Sequence, residues 1–81
     1  QFPLDRNVWI AIAKEMKLAP QQARIIELVL LDLKYKEIAA KMHISVATVR
    51  TQLQRVFLRH GLQGRSALLV DIMCRATRRG R

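Results

Sequence analysis

The sequence predicts an all-α domain: four main helices preceded by an additional N-terminal helix or linker segment. Three observations carry that prediction. Apolar residues recur at helical spacing in successive segments of the chain. Aromatics are only 5% of its 81 residues, and β-branched residues are scattered. The segments are bounded by residues that start and stop helices. Hydrophobic residues make up 51% of the chain, too many for a disordered tail and enough for one modest core.

"QFPL" reads as an extended lead-in. Asp5 is a good N-cap for "DRNVWIAIAKEMK", which places Trp9, Ala13 and Met16 near one face, with Trp9 as a packing anchor. In "LAPQQARIIELVLLD", Pro20 suits a first helical position, and Ile25, Ile26, Val29 and Leu30 carry the period. Its cap is poor, because Ala19 has no side-chain acceptor. Asp32 marks a tight turn, since aspartate tolerates the left-handed conformation better than most residues. "YKEIAAKM" forms two turns with Ile38, Ala39 and Met42 inward, and "HIS" breaks it. Ser45 then caps a long helix from Val46 to about His60, closed by Gly61 in the left-handed region. A last helix begins near Gly64 or Arg65 and carries "SALLVDIMCRA", and "TRRGR" frays.

The net charge of +9 points to a polyanionic partner, nucleic acid ahead of an anionic membrane. The layout says more than the total. No Asp or Glu occurs between Ile38 and Val70, while Lys41, Arg50, Arg55, Arg59 and Arg65 do. A merely solvating surface would mix the signs. Cys74 is alone, which excludes an internal disulfide and a thiolate metal cluster, and it reads as a small hydrophobe. No membrane-spanning run or signal-peptide core appears, so the expected location is the cytoplasm. The chain starts at Gln1 without methionine and reads as a fragment, with room for an N-terminal regulatory domain ahead of it.

At about 100° per residue the long helix divides into two arcs. Val46, Val49, Leu53, Val56 and Phe57 fall inward, together with His60. Ala47, Arg50, Thr51, Gln54 and Arg55 fall outward, and Leu58 lies among them as an apolar exception. Arginine forks onto guanine, glutamine pairs with adenine, and threonine meets either kind of base edge. The small Ala47 lets the backbone approach closely. A short helix, a tight turn and a second helix bearing that stripe describe a helix-turn-helix, whose second helix enters the DNA major groove. His43, His60 and Cys74 lack the spacing of a zinc site, and no nucleophile–base pair, paired carboxylates or phosphate-cradling glycine loop occurs. The expectation is no metal, no cofactor and no enzyme.

"LAPQQARIIELVLLDLKYKEIAAKMHISVATVRTQLQRVFLRHGLQGRSALLV", residues 18–70, resembles the LuxR/FixJ-type DNA-binding domain of bacterial transcription regulators. "KEIA", "IS", "TVR" and "HGLQGRSALL" carry the resemblance. It implies a four-helix LuxR/FixJ-type helix-turn-helix domain that binds double-stranded DNA as a homodimer through its last helix. By position, Arg50, Thr51 and Gln54 match its base-facing sites, and Lys36, Thr48 and Arg55 match sites at the phosphates or the groove edge. Ser45 and Ala47 belong to the same edge. The resulting division is 1–17 as N-terminal helix or linker, 18–76 as the DNA-binding domain and 77–81 as a basic frayed tail. The sequence departs from the family pattern at Ala19, Gln22, Asp32, Lys34 and His60, which replace a capping hydroxyl, a glutamate, a turn glycine, a serine and a leucine.

The apolar residues of the last helix spread over about 200°, roughly twice what packing on a small domain needs. Leu69, Val70 and Met73 are the expected dimer contact, unless the Trp9 helix covers them. Two other readings stay open. The promoter-binding last region of a bacterial sigma factor resembles "YKEIAAKMHISVATVRTQLQR" equally well, although it normally ends with the recognition helix; the added "GLQGRSALLVDIM" favours the LuxR/FixJ reading. An anti-activator that grips a related regulator through its last helix is the third.

Overall fold

The computed structural model describes residues 2–79, and these form five helices with no strand among them. They are α1 (Arg6–Glu15), α2 (Pro20–Leu30), α3 (Tyr35–Met42), α4 (Val46–His60) and α5 (Arg65–Arg79).

The starts of the helices are set by local chemistry. Asp5 Oδ1 accepts the backbone N–H groups of Asn7 and Val8 at 2.8 and 3.3 Å, and Ser45 Oγ accepts that of Thr48 at 3.0 Å. Ala19 and Lys34 offer no side-chain acceptor, as their sequence implies. Half of the missing box is nonetheless supplied from inside each helix: Gln22 Oε1 accepts the Ala19 N–H, and Glu37 Oε1 accepts the Lys34 N–H. The glutamine that replaces the expected glutamate therefore still does its work.

The first four helices all end alike. A left-handed residue follows each: Lys17, Asp32, His43 and Gly61, with φ of 56°, 65°, 57° and 64°. The next N–H then turns back onto the helix, from Leu18 to the Ala13 carbonyl, Leu33 to Leu28, Ile44 to Ala39 and Leu62 to Phe57, at 2.8–3.1 Å. That is the Schellman arrangement, which satisfies carbonyls left free at a helix end. The four residues making the turn-back bond are all apolar and all pack against the core, so each helix end is also a hydrophobic clasp. Only Gly61 escapes the steric cost of the left-handed region.

All five helices contribute to one core. Ile25, Ile26, Leu28 and Val29 of α2 lie at its centre with Ile38, Val49 and Leu53, and each is at most 2% exposed. On α1 the buried face is Trp9 and Ile12, continued by Met16; Ala13, expected to share it, is only half-buried. Helix α1 is thus an integral layer. It packs on α5, where Glu15 pairs with Arg75 and, at 2.6 Å, with Arg79. It is tied to α2 by the Trp9 indole, which donates to Glu27 Oε2 at 2.9 Å. The last helix runs through Thr77–Arg79, where fraying was expected, and Arg79 in its final turn pairs with Glu15; residues 80 and 81 lie outside the described residues.

Candidate nucleic-acid interface

The left-handed His43 turns the chain between α3 and α4, and Ser45 restarts it. Val49, Leu53, Val56 and Phe57 are buried along one side of α4. Val46, expected inward with them, is half-buried: it packs against the edge of the core and lines a depression beside Tyr35 and Arg50. On the opposite side Ala47, Arg50, Thr51, Gln54 and Arg55 are all exposed. Arg50, Thr51, Gln54 and Arg55 line one shallow depression. The structure therefore brings together the predicted base-facing set and Arg55. Ser45 and Thr48, at the start of α4, do not line the depression; their hydroxyls are 2.9 Å apart.

Three glutamine side chains, of which Gln21 and Gln52 had drawn no expectation, join α4 to α2. Gln52 Oε1 accepts from Gln22 Nε2 at 3.1 Å, and Gln52 Nε2 donates to Gln21 Oε1 at 2.9 Å. Gln52 sits between the two arcs of α4, so this clamp to α2 ties the boundary between the buried and the exposed side of the helix. At the far end Arg59 donates to the Lys17 carbonyl at 2.9 Å. His60 Nε2 lies 3.0 Å from the Met16 carbonyl oxygen, which can only accept, so that nitrogen carries the hydrogen. His60 thus closes the helix ends, and Leu58 beside it is 73% exposed.

Lys36 is exposed and belongs to a second depression, lined also by Lys34, Tyr35, Val46, Arg50 and Arg65. Arg65 reaches back from the first turn of α5 to donate to the Leu33 carbonyl at 2.9 Å. Its guanidinium carbon is 5.4 Å from the centre of the Tyr35 ring, and that of Arg50 is 6.0 Å away. Tyr35, Lys34 and Arg65 were missed as site residues. The acid-free window was the available signal for Arg65; none of its spacing pointed back to Leu33.

On α5 the expected contact residues divide. Val70 and Met73 are 63% and 40% exposed, while Leu69 is half-buried against the core. Together with Cys74, Thr77 and Arg78 they line an open, mostly apolar depression that α1 leaves uncovered. Cys74 is exposed there and is not a core residue.

The perturbed carboxylates lie away from the α4 face. Burial raises the Glu27 pKa, but hydrogen bonds from Trp9 and Arg24 and the charge of Arg6 outweigh it and hold the group below its ordinary value. The Arg79 hydrogen bond, then Arg75, likewise lowers Glu15 against a contribution from burial. Among the described residues no group of three or more His, Cys, Asp or Glu is placed to hold a metal ion, and no helix is long and apolar enough to cross a membrane.

Residues 16–64, more than half of the chain, match the family model described as Sigma-70, region 4. The matched span takes in α2, α3 and α4 and stops just before α5. It supports a helix-turn-helix that binds DNA, and it sides with the sigma-factor alternative over the LuxR/FixJ-type reading that the sequence had favoured. No curated protein and no solved structure matches the chain.

Proposed function

The chain belongs to the sigma-70 region 4 family, and we propose that it recognises promoter-type duplex DNA by laying α4 in the major groove. The observation that carries this reading is the α4 face: Arg50, Thr51, Gln54 and Arg55 share one exposed depression, inside a stretch of chain without a single acid. Arg50, Thr51 and Gln54 read bases on this proposal. Lys36, Ser45, Ala47, Thr48 and Arg55 meet the backbone or the groove edge. The chain is then a cytoplasmic binding module and not an enzyme. An electrophoretic shift assay on random duplex DNA at two salt concentrations tests the class, because phosphate-based binding weakens steeply with salt. Salt-insensitive or absent binding would favour the anti-activator reading. Selection from a random library then reports the preferred site.

A second reading rests on a different observation. Helix α5 follows the matched region and exposes Val70 and Met73, as a LuxR/FixJ-type regulator that dimerises through its last helix would. A selected site with two symmetric halves supports that reading; a single asymmetric element supports the sigma-type one.

A further inference from the structure

We propose that Lys34 and Arg65, with Tyr35 as the floor between them, form a seat for a DNA backbone phosphate outside the two-helix unit, which makes α5 part of the DNA interface. This rests on the DNA-binding reading above.

The depression lined by Lys34, Lys36, Arg50 and Arg65 gathers four cations around one tyrosine, and no carboxylate lines it. Two acids stand close by: Asp32 is fully exposed, with Oδ1 3.9 Å from Arg65 Nη2, and Glu37 is already engaged, its Oε1 accepting the Lys34 backbone N–H at 2.8 Å. Like charges are drawn together here by the ring face and by the Leu33 carbonyl, and an anion is what relieves them. The arginine is held in advance. One donor is spent on Leu33 and its plane sits over Tyr35, while the remaining donors of a five-donor group stay available. Leu33 directly precedes Lys34, so the same bond ties α5 to the segment bearing Lys34 and Tyr35.

The occupant follows from continuity. Arg50 lines both this depression and the one shared by Thr51, Gln54 and Arg55. A duplex whose base edges meet α4 therefore carries its flanking backbone past Lys34 and Arg65. Phosphate contacts of this kind position a protein without reading sequence.

The test is the salt dependence of binding to random duplex DNA, followed by fluorescence anisotropy, for the wild type, Lys34→Gln, Arg65→Gln and Arg65→Lys. Each Gln variant should lower the slope of log K against log salt by about 0.9. Between 50 and 200 mM salt the loss of affinity then becomes about 3.5-fold smaller than in the wild type. Arg65→Lys should recover most of the slope. Melting temperatures are recorded alongside. Lys34→Gln retains the backbone N–H that Glu37 caps, so it carries the test if Arg65→Gln melts early. An unchanged slope in Lys34→Gln, or in a folded Arg65→Gln, overturns the phosphate seat while leaving the DNA reading in place. A wild type whose binding ignores salt overturns both.

Discussion

Glu27 is the single carboxylate that fastens α1, a helix outside the matched family region, to α2 within it. Its Oε2 accepts the indole N–H of Trp9, whose side chain is only 2% exposed, and its Oε1 meets Arg24 and Arg6 at 3.1 and 3.5 Å. Glu27→Leu removes the acceptor and leaves a buried donor unpaired, at about 1–3 kcal/mol. The two arginines are more than half exposed, so their ion pairs add only about 0–1 kcal/mol each. The expected total is about 2 kcal/mol, or roughly 8–16 °C in melting temperature for a domain of this size. Glu27→Gln keeps an oxygen for Trp9 and should lose only the two ion pairs, about 0–1 kcal/mol each, and so less than Glu27→Leu. Trp9 is the one tryptophan, so its fluorescence during urea unfolding reports both variants directly. The pH dependence has a definite sign. The folded pKa of Glu27 lies below the ordinary 4.5, so its stabilisation is present above that value and is lost as pH falls through the folded pKa. The wild type and Glu27→Gln should therefore converge on acidification. Equal destabilisation by Leu and Gln, or a gap between wild type and Gln that ignores pH, would refute the reasoning.

Four further outcomes are expected. Arg50→Ala should cost about 1–3 kcal/mol on the selected site and relax preference at one base position; equal weakening on random DNA would make Arg50 a phosphate contact instead. Lys36→Ala should weaken all sequences alike and lower the salt slope by about 0.9, and an unchanged slope removes Lys36 from the interface. Val70→Glu with Met73→Glu should leave the helical circular-dichroism spectrum intact and abolish any dimers in sedimentation; a wild type that is monomeric at tens of micromolar would rule out strong self-association through α5. Lys17→Gly should raise stability by about 0.5–1 kcal/mol in urea titration, because glycine adopts the left-handed φ of 56° without strain and the carbonyl that receives Arg59 is unchanged. No gain would mean that the left-handed residue carries little strain in this clasp.

The elements and the outward stripe of α4 were legible in the sequence because the interactions that specify them are short. Asp5 and Ser45 cap within three residues, Gly61 closes α4 where its period ends, and Arg50, Thr51, Gln54 and Arg55 share a face by helical repeat alone. Where the apolar stripe was wider than the core, period could not rank its members. Packing chose Ile12 over Ala13, kept Val46 at the edge and left Val70 in solvent while drawing Leu69 inward. The LuxR/FixJ-type reading leaned on α5, which the family match does not reach. A helix added after α4 says what is attached to the two-helix unit, whereas the match rests on residues 16–64, which end before it. The remaining features join residues far apart along the chain: Gln52 with Gln21 and Gln22, Trp9 with Glu27, and Arg65 with Leu33, 32 positions away. Those pairings depend on the angles at which helices cross, and the crossing angles follow from how fifteen buried side chains fill one core together. Local periodicity holds no record of that, so the tertiary structure alone placed Arg65 beside Tyr35 and Arg50.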